Sequence, residues 1–370
     1  MIELTKKQKE GVLIARERFL NKEKYTVISG YAGTGKSTLI SYLIEELNLE
    51  GEVTYATYTG KASLVLREKG IPSQTLHKLI YNTFINEETG EFIHRKKTKK
   101  EMDMYEIIVV DEVSMCPKNI WETLLSFNVH IIALGDPFQL PPIGEDNGIL
   151  SSPHIFLDEV MRQALESDII KVSMDIRNGK KLTPFEGNDI KVVRRQDMVA
   201  GMYFWADQVL CGLNKTRRFI NKTMREAEGR FGDMPEYGDK IICLRNYWDK
   251  KTSEGAPLIN GMIGTVKGTF SKNNKQSLIL NIEYDNSTIK IENIDKKIFE
   301  TGSPTAYSRG VVSPVQLDYG SCITVWKSQG SQFNKVLFFA ERVGPMSDLD
   351  YAKFLYTGLT RAVSKVIIII

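Results

Sequence analysis

Apolar residues in this chain gather in short runs, and longer stretches with helical periodicity separate the runs. Four runs in the first part of the chain predict buried β-strands at residues 25–29, 53–57, 107–111 and 129–135. The stretches 37–49 and 60–69 predict helices between them. Strands and helices that alternate in this way form a parallel sheet with both faces covered, so an α/β domain is predicted here.

The alternation of strands and helices resumes after about residue 155. The predicted helices of this second part are residues 165–177, 215–229 and 349–361, and its predicted strands are residues 208–211, 335–340 and 365–370. The chain is therefore predicted to hold two α/β domains in tandem.

Two segments break the α/β pattern. Residues 82–104 are polar and predict a short hairpin with Gly90 in its turn. Residues 239–310 switch to period-two alternation with turn signals, which predicts a small all-β insertion. The predicted boundaries are residues 1–81 and 105–155 for the first α/β domain, 82–104 for the hairpin subdomain, 156–238 and 311–370 for the second α/β domain, and 239–310 for the all-β subdomain.

Composition narrows the class of protein. A chain of 370 residues with 42% hydrophobic and 26% charged residues is typical of a soluble globular protein with two or three domains. The formal net charge is only +3, so any nucleic acid must be bound by a local groove rather than by the whole surface. The four cysteines fit no metal-ligand spacing, and the sequence shows no membrane-length segment and no signal peptide, so we expect a cytoplasmic protein.

A phosphate-binding loop follows the first predicted strand. Residues 30–37 read Gly-Tyr-Ala-Gly-Thr-Gly-Lys-Ser and fit the P-loop pattern, with a strand before them and a helix after them. Backbone N–H groups and a helix N-terminus hold phosphates in such a loop, while Lys36 would reach the β- and γ-phosphates and Ser37 would hold Mg²⁺. The predicted ligands are ATP and Mg²⁺, and the predicted contacts are Gly30, Ala32, Gly33, Thr34, Gly35, Lys36, Ser37 and Thr38.

Two acids and one amide complete the predicted chemistry of the first domain. Asp111 and Glu112 end a predicted strand at its carboxyl end, where parallel sheets bind their ligands. Asp111 would hold Mg²⁺, and Glu112 would polarise the attacking water as general base. Gln139 follows another strand in a loop stiffened by Pro141 and Pro142. A neutral donor there can bond the γ-phosphate and change partners after hydrolysis, which is the task of a sensor.

The order of these and further motifs resembles the superfamily-one helicases, specifically their RecD/Dda-like branch of phage or bacterial origin. The motifs that carry the resemblance are residues 4–8, 30–37, 57–62, 73–77, 109–114, 134–144, 160–164, 318–332 and 356–362. The resemblance implies two tandem RecA-like P-loop domains and an SH3-like fold for the all-β insertion. It also implies a DNA helicase that moves 5′ to 3′ on single-stranded DNA and separates duplex.

Five nucleotide contacts are implied by the resemblance alone. Gln8 would bond the adenine through both atoms of its amide, and Gln329 and Gln332 would also contact the nucleotide. Arg162 and Arg361 would reach the γ-phosphate from the second domain, and planar guanidinium groups suit the charge that spreads over phosphoryl oxygens. Such arginines act only when the cleft is closed, so ATP binding would drive closure and closure would drive a step. The family often has glutamate where Gln332 stands, which leaves its role open.

The resemblance also implies how a strand is gripped. The phosphate contacts would be Thr59, Lys61, Thr75 and His77 on the first domain and Thr324 and Lys327 on the second. Trp326 stands where the family commonly has histidine, and it would either stack on a base or pack into the core. The hairpin would serve as a wedge at a duplex fork through Phe84 or Phe92, unless both rings pack against their own domain. The basic residues 94–100 beside it are either a strand contact or solvated surface.

Two other functions fit the same residues. An RNA-directed motor is one, because nothing in the sequence reads a 2′-hydroxyl. A nucleotide-switched nucleic-acid-binding protein without unwinding is the other, although Glu112, Gln139, Arg162 and Arg361 favour turnover. The expected partners are single-stranded DNA and duplex forks, with replication or recombination proteins as further candidates. One chain carries both halves of the ATP site, so a monomer would suffice.

Overall fold

The chain folds around two largely parallel sheets and one antiparallel sheet, and this confirms the predicted tandem α/β organisation. The structure, a computed structural model, describes residues 4–49, 51–85, 92–142, 144–161, 164–272, 275–282, 287–305 and 314–370. Within these ranges, no helix is both long enough and apolar enough to cross a membrane.

The first α/β domain is built on an all-parallel sheet. Its elements are α1 (Lys6–Leu20), β1 (Tyr25–Gly30), α2 (Lys36–Leu47), β2 (Val53–Thr57), α3 (Gly60–Glu68), β3 (Ser73–Thr75), α4 (Leu76–Ile80), β4 (Tyr81–Ile85), β5 (Phe92–Lys96), β6 (Ile107–Asp111), α5 (Lys118–Leu125), β7 (His130–Gly135) and β8 (Ile155–Leu157). The sheet order is β3-β2-β6-β7-β1-β8. Both faces of this sheet carry buried apolar side chains because helices cover both faces.

Local signals set the ends of the two helices that matter most for the site. At the start of α1, the Thr5 hydroxyl accepts from the Gln8 N–H, and the Gln8 side chain accepts from the Thr5 N–H, which is a capping box. Helix α2 begins after Gly35, whose φ of 75° is left-handed, and ends at Asn48, whose φ is 53°. The first turns of these two helices meet at the phosphate-binding loop, where the Gln8 amide donates to the carbonyl of Thr34.

The second α/β domain begins after residue 163, and a third unit is inserted into it. The first elements of the second domain are α6 (Asp168–Arg177), β9 (Phe185–Glu186), β10 (Ile190–Val193), α7 (Gly201–Trp205), β11 (Gln208–Cys211) and α8 (Asn214–Ala227). The inserted unit comprises β12 (Lys240–Cys243), β13 (Tyr247–Lys251), β14 (Pro257–Leu258), β15 (Ile263–Lys272), β16 (Lys275–Ile282), β17 (Thr288–Ile291), α9 (Lys296–Thr301) and β18 (Leu317–Tyr319).

The inserted unit is an antiparallel sheet in the order β17-β16-β15-β12-β18. Its alternate residues, such as Leu278 and Leu280, are buried in a core of its own, as period-two alternation predicts. The sequence assigned residues 317–319 to the second α/β domain, and this is corrected by the structure. Strand β18 pairs with β12, because Ile242 lies opposite Asp318 in the ladder.

The chain then returns to the second α/β domain. The remaining elements are β19 (Cys322–Thr324), α10 (Val325–Ser328), β20 (Phe333–Phe339), α11 (Asp348–Leu359) and β21 (Ala362–Ile369). The sheet order is β19-β11-β20-β21-β10-β9, and all pairings are parallel except that of β9 with β10. Interleaving of early and late strands in one sheet means that the inserted unit is held at both ends by the second domain.

Strands β4 and β5 form a separate antiparallel pair at residues 81–85 and 92–96. Phe84 lies opposite Ile93, and both side chains are about half exposed on the same face. The predicted turn residue Gly90 lies outside the described residues, as does the side chain of Phe92.

Candidate active site

A cavity of about 440 Å³ lies between the two α/β domains. Its first-domain wall is the phosphate-binding loop together with Asp111, Glu112 and Gln139. Its second-domain wall includes Gln332 and Arg361. The structure therefore brings together, in one cleft, residues that lie more than 300 positions apart in the sequence.

The phosphate-binding loop has the backbone that its sequence predicts. Gly33 and Gly35 have left-handed φ values of 77° and 75°, which a residue with a side chain adopts only with strain. The Lys36 ammonium donates to the carbonyls of Gly30 (2.7 Å) and Tyr31 (3.0 Å) across the loop. The predicted contacts that line the cavity are Ala32, Gly33, Thr34, Gly35, Lys36, Ser37 and Thr38.

The two predicted acids stand at the end of β6. Asp111 accepts a hydrogen bond from the Glu112 N–H at 2.8 Å, and Glu112 has a left-handed φ of 52°. A glutamate in that conformation is strained, and such strain concentrates at functional sites. Burial raises the pKa of Asp111 above its ordinary value. Burial also raises the pKa of Glu112, while the charge of Arg361 acts in the opposite direction.

Arg361 enters the cleft from the second domain and is only 3% exposed. Its guanidinium donates to the carbonyls of Thr357 (3.1 Å) and Ser331 (3.3 Å), which fix its orientation. One of its terminal nitrogens lies 3.8 Å from Glu112 Oε1. The predicted second-domain arginine and the predicted general base are thus neighbours.

Several buried polar atoms around this cavity have no hydrogen-bond partner within the described part of the chain. They include Glu112 Oε2, Gln139 Oε1 and Ser114 Oγ. Buried polar atoms are nearly always paired in folded proteins, and exceptions point to a role such as ligand binding. These unpaired atoms line the same cavity as the phosphate-binding loop.

Gln8, which was predicted to bond adenine, lies buried against the phosphate-binding loop. Its side chain is 1% exposed, and its amide nitrogen donates to the carbonyls of Thr34 (3.1 Å) and Gly35 (3.4 Å). Its amide oxygen accepts from the Thr5 N–H at 2.9 Å. Both amide atoms are therefore hydrogen-bonded to the protein, and Gln8 braces the phosphate-binding loop, while its contact with adenine stays a prediction.

Gln329 is also hydrogen-bonded to the protein, and Arg162 lies outside the described residues. The Gln329 amide donates to the carbonyl of Leu140 at 2.9 Å, and its side chain lines a different cavity from the phosphate-binding loop. Gln329 thus ties the second domain to the loop that carries Gln139. Gln332, three residues later, does line the cavity that holds the phosphate-binding loop.

Sequence reasoning missed a buried network around Asp136 and Tyr356. The Tyr356 hydroxyl donates to Asp136 Oδ2 at 2.5 Å and accepts from the Ala32 N–H at 2.8 Å. The neighbouring Thr357 hydroxyl accepts from the Leu140 N–H at 2.9 Å. Asp136 and Tyr356 lie in motifs 134–144 and 356–362, but the sequence does not show that these two motifs bond to each other.

A second cavity, of about 620 Å³, lies beside the first and opens between all three units. Its lining includes four of the predicted strand contacts, Thr59, Lys61, Thr324 and Lys327, and also Trp326. The lining also includes residues that were not among the predicted strand contacts, such as Tyr58, Met115, Asn214 and Asn260. We call this cavity the strand channel.

Both interpretations of Trp326 describe part of its environment. One side of the indole packs on Phe354, with ring centroids 5.6 Å apart, and joins the core of the second domain. The residue also lines the strand channel. Lys327, next to it, donates to the side chain of Asn260 at 3.0 Å and so links the second domain to the inserted unit.

Thr75 and His77 lie away from the strand channel. The Thr75 hydroxyl is buried and accepts from the Lys78 N–H at the start of α4, so it is a helix cap rather than a free phosphate donor. His77 lies in a row of rings that runs from the channel toward β4 and β5. Successive ring centroids in this row, Tyr58, His77, Tyr81 and His94, are 5.8, 6.1 and 6.1 Å apart.

Helix α3 contacts each of these regions. Ala62 and Leu66 line the cavity of the phosphate-binding loop, and Lys61 lines the strand channel. Leu64 packs against the core of the inserted unit. One helix of nine residues therefore touches the nucleotide side, the strand side and the inserted sheet.

Comparison with protein families and curated proteins agrees with this arrangement. The family described as AAA domain matches residues 3–202, and the UvrD-like helicase C-terminal domain matches residues 319–369. The ATP-dependent DNA helicase dda of Enterobacteria phage T4 is 29% identical over 191 residues, which cover 48% of this chain and 43% of that protein. The ATP-dependent DNA helicase Pif1 of Campylobacter jejuni is 29% identical over 131 residues, which cover 31% of this chain and 28% of that protein. The matches span less than half the length of these curated relatives.

Solved structures of similar fold include Pif1 helicases. The Bacteroides Pif1 helicase in complex with ADP-AlF3 and ssDNA has a TM-score of 0.58 at 19% identity and covers 100% of this chain and 92% of its own. A structure of two coordinating Pif1 helicases at forked dsDNA has a TM-score of 0.60 at 20% identity, with coverages of 99% and 92%. At such identities these likenesses establish the fold, two RecA-like domains. The AAA domain match covers more than half of the sequence, so the chain belongs to the AAA domain family, and within it the chain is similar to the dda and Pif1 helicases.

Proposed function

We propose that the chain is an ATP-dependent DNA helicase that moves 5′ to 3′ on single-stranded DNA and separates duplex. The observation that carries the proposal is that the cavity of the phosphate-binding loop and the strand channel belong to the same inter-domain cleft. They are joined by helix α3 and by the loop that carries Gln139. A change in the width of the cleft at one cavity must therefore change its width at the other.

ATP fits the first cavity by the chemistry of its donors. Lys36 and the loop N–H groups suit phosphates, and the unpaired oxygens of Glu112 and Gln139 face a site that needs further partners. Ser37 and Asp111 would hold Mg²⁺ there, and the ion would supply charge neutralisation at the phosphates. Hard oxygen donors of this kind are the ones that Mg²⁺ prefers.

The hydrolytic step follows from the groups around that site. Glu112 orients a water and accepts its proton, and its strained backbone holds the carboxylate at the edge of the sheet. Arg361 lies close enough to stabilise charge that develops on the phosphoryl oxygens. Arg361 comes from the second domain, so turnover requires a closed cleft. Loss of the γ-phosphate would remove its partner and allow the cleft to open.

The strand channel fits a single nucleic-acid strand without sequence readout. Lys61 and Lys327 provide positive charge, and Tyr58 and Trp326 provide flat rings on which bases can stack. The row of rings from Tyr58 to His94 gives the strand a route from the channel to β4 and β5. On the opposite face of that strand pair, the exposed Phe84 and Ile93 would meet the duplex as a wedge.

The finer architecture is part of the same proposal. The inserted antiparallel unit is an SH3-like subdomain, and its loop at Asn260 guides the strand through the bond to Lys327. Residues 82–104 are the hairpin subdomain. One chain supplies both walls of the cleft, so a monomer is sufficient for turnover, and single-stranded DNA and forks are the partners.

The test is strand separation on two DNA forks, one with only a 5′ tail and one with only a 3′ tail. We expect Mg-ATP to drive unwinding of the 5′-tailed fork alone, and we expect the Lys36→Ala variant to unwind neither. Unwinding of the 3′-tailed fork alone would keep the motor but refute the polarity. Matched RNA strands that stimulate ATP turnover better than DNA would favour an RNA-directed motor. Turnover that ignores every nucleic acid would favour a nucleotide-switched binding protein.

A further inference from the structure

The Tyr356 hydroxyl joins three parts of the cleft that come from both domains. It accepts from the N–H of Ala32 in the phosphate-binding loop, and it donates to Asp136 at the head of the Gln139 loop. Its own helix, α11, belongs to the second domain and leads into Arg361. One oxygen atom therefore connects the loop that holds phosphate, the loop that senses it and the domain that must close over it.

The surroundings make this hydroxyl hard to replace. Tyr356 is fully buried and Asp136 is 3% exposed. The second Asp136 oxygen accepts from the Phe138 N–H at 2.9 Å, so the carboxylate is held on both sides. Burial raises the pKa of Tyr356 well above its ordinary value, so the hydroxyl keeps its proton. Without it, a carboxylate and a loop N–H would each lose a partner in a buried site.

The neighbouring bonds strengthen the same connection. The Phe138 ring packs edge-on against the Tyr356 ring, with centroids 5.4 Å apart. Thr357, the next residue on α11, accepts from the Leu140 N–H. Gln139 lies between these two anchored residues, with its Oε1 atom unpaired. The loop is thus fixed to the second domain on either side of its proposed sensor.

We propose that Tyr356 is a positioning residue that couples closure of the second domain to the geometry of the phosphate-binding loop and of Gln139. It does not line the cavity of the phosphate-binding loop, and it acts through Ala32 and Asp136. ATP binding requires mainly the first domain, whereas hydrolysis requires both loops in register with Arg361. Loss of the hydroxyl should therefore reduce turnover more than it reduces affinity. This inference rests on the proposed ATP hydrolysis but not on the DNA substrate or the polarity.

The test is steady-state ATP hydrolysis by the full chain carrying Tyr356→Phe, with and without a single-stranded DNA oligonucleotide. Removal of a hydrogen bond to a charged group predicts a kcat lower by about tenfold to a hundredfold. KM for ATP should stay within about twofold because the ring and the phosphate contacts remain. The matched control is Tyr351→Phe, on the same helix as Tyr356. It removes a hydrogen bond to the carbonyl of Ala340, which belongs to the second domain, and does not touch the first domain. We expect the control to retain wild-type kcat.

A second variant separates positioning from simple loss of structure. If Tyr356 and Asp136 act through one hydrogen bond, the effects of the two substitutions should not add. The kcat of the double variant Tyr356→Phe/Asp136→Asn should then lie within about twofold of the kcat of the slower single variant. An unchanged kcat in Tyr356→Phe overturns the inference. An effect on KM alone also overturns it, and so does a lower kcat that is matched by a lower unfolding temperature. A wild-type chain that hydrolyses ATP without stimulation by DNA would refute the proposed helicase. The basal kcat values would still decide the role of Tyr356.

Discussion

At the scale of single residues, the approach of Arg361 to Glu112 links two functions of the cleft. The guanidinium lies 3.8 Å from the carboxylate, and its charge opposes the rise that burial causes in the pKa of Glu112. The same arginine is proposed to stabilise the transition state. A substitution of Arg361 should therefore have two separable effects, one on rate and one on pH dependence.

We expect Arg361→Gln to lower kcat by about a thousandfold or more, the scale on which such arginines contribute to phosphoryl transfer. It should also move the acid limb of kcat/KM to higher pH. The sign follows because removal of a positive charge makes the ionised carboxylate less favourable, so the pKa of Glu112 rises further and the active base is lost at a higher pH. The measurement is the pH profile of ATP hydrolysis.

The control for this prediction is Arg342→Gln. Arg342 pairs with Asp348 on the surface of the second domain and lines neither the cavity of the phosphate-binding loop nor the strand channel. It should leave both the rate and the profile unchanged. A profile for Arg361→Gln with its acid limb at the wild-type position would contradict the assigned pairing with Glu112.

The residues that sequence predicted best are those whose role is fixed by the backbone beside them. The phosphate-binding loop, Asp111 and Glu112 stand where a strand ends, and strands are visible in the sequence. The sequence did not predict the capping hydrogen bonds of Gln8 and Thr75, because a motif does not show that nearby backbone groups also bond these side chains. The capping box of α1 engages Gln8, and the first turn of α4 engages Thr75. A sequence motif specifies the side chain that is present but not which of several nearby partners it bonds.

At the scale of elements, the pair of strands β4 and β5 has two unlike faces. Tyr81 and His94 continue the row of rings from the strand channel on one face. Phe84 and Ile93 form an exposed apolar pair on the other. Because successive residues of a strand point to opposite faces, one short pair of strands can meet a single strand and a duplex on separate sides.

We expect the double variant Phe84→Ala/Ile93→Ala to slow duplex separation by about tenfold while DNA-stimulated ATP hydrolysis stays near wild type. The reason is that the wedge acts on the duplex and the motor acts on the single strand, and stacking contacts of this kind are worth about 1–3 kcal/mol per base. The measurements are unwinding of the 5′-tailed fork and ATP turnover on single strands.

A matched control is Phe185→Ala, which removes another exposed phenylalanine, on the edge strand β9. It should change neither rate. Equal loss of unwinding and of ATP turnover in the Phe84/Ile93 variant would mean that this face serves the motor and not the fork.

Several elements of four residues or more were predicted with nearly the observed limits. Strand β2, helix α3 and strand β11 begin and end within a residue of their predicted limits. Strands β3, β8 and β19 were missed because each has three residues, too few for any period to show. Their pairing comes from the sheet around them and not from their own sequence.

At the scale of the whole molecule, the three units meet at the start of α3. A Cβ atom at Gly60 would lie 2.3 Å from Ile259 Cδ1, and Ile259 belongs to the core of the inserted unit. A Cβ atom at Gly330 of the second domain would lie 2.7 Å from Thr59 Oγ1. These close approaches fix the width of the strand channel. They could not be predicted from the sequence because they join distant segments.

We expect Gly60→Ala to weaken binding of single-stranded DNA by about tenfold, within the range of about 1–3 kcal/mol that overpacking costs. The added methyl group would push the inserted unit, with Asn260, away from Lys61. KM for ATP should change little because the phosphate-binding loop is untouched. The measurement is fluorescence anisotropy with a labelled oligonucleotide, beside steady-state ATP hydrolysis.

Two further variants make this prediction decisive. Ile259→Ala in the same chain removes the two most distal clashing atoms and should recover most of the affinity. Gly201→Ala, also at the first position of a helix, meets no neighbour within 4 Å and should bind like the wild type. Failure of Ile259→Ala to restore binding would show that the loss arises within α3 itself.

The contacts of helix α3 have a consequence for the proposed coupling between ATP consumption and movement along the strand. A rigid helix that is packed on three sides cannot be displaced on one side without moving its contacts on the other two. If ATP binding displaces α3 through Ala62 and Leu66 and the strand is held at Lys61, the displacement of this short helix sets the distance advanced along the strand in each cycle. A low concentration of ATP would then slow the movement of this molecule without changing the number of nucleotides passed for each ATP consumed.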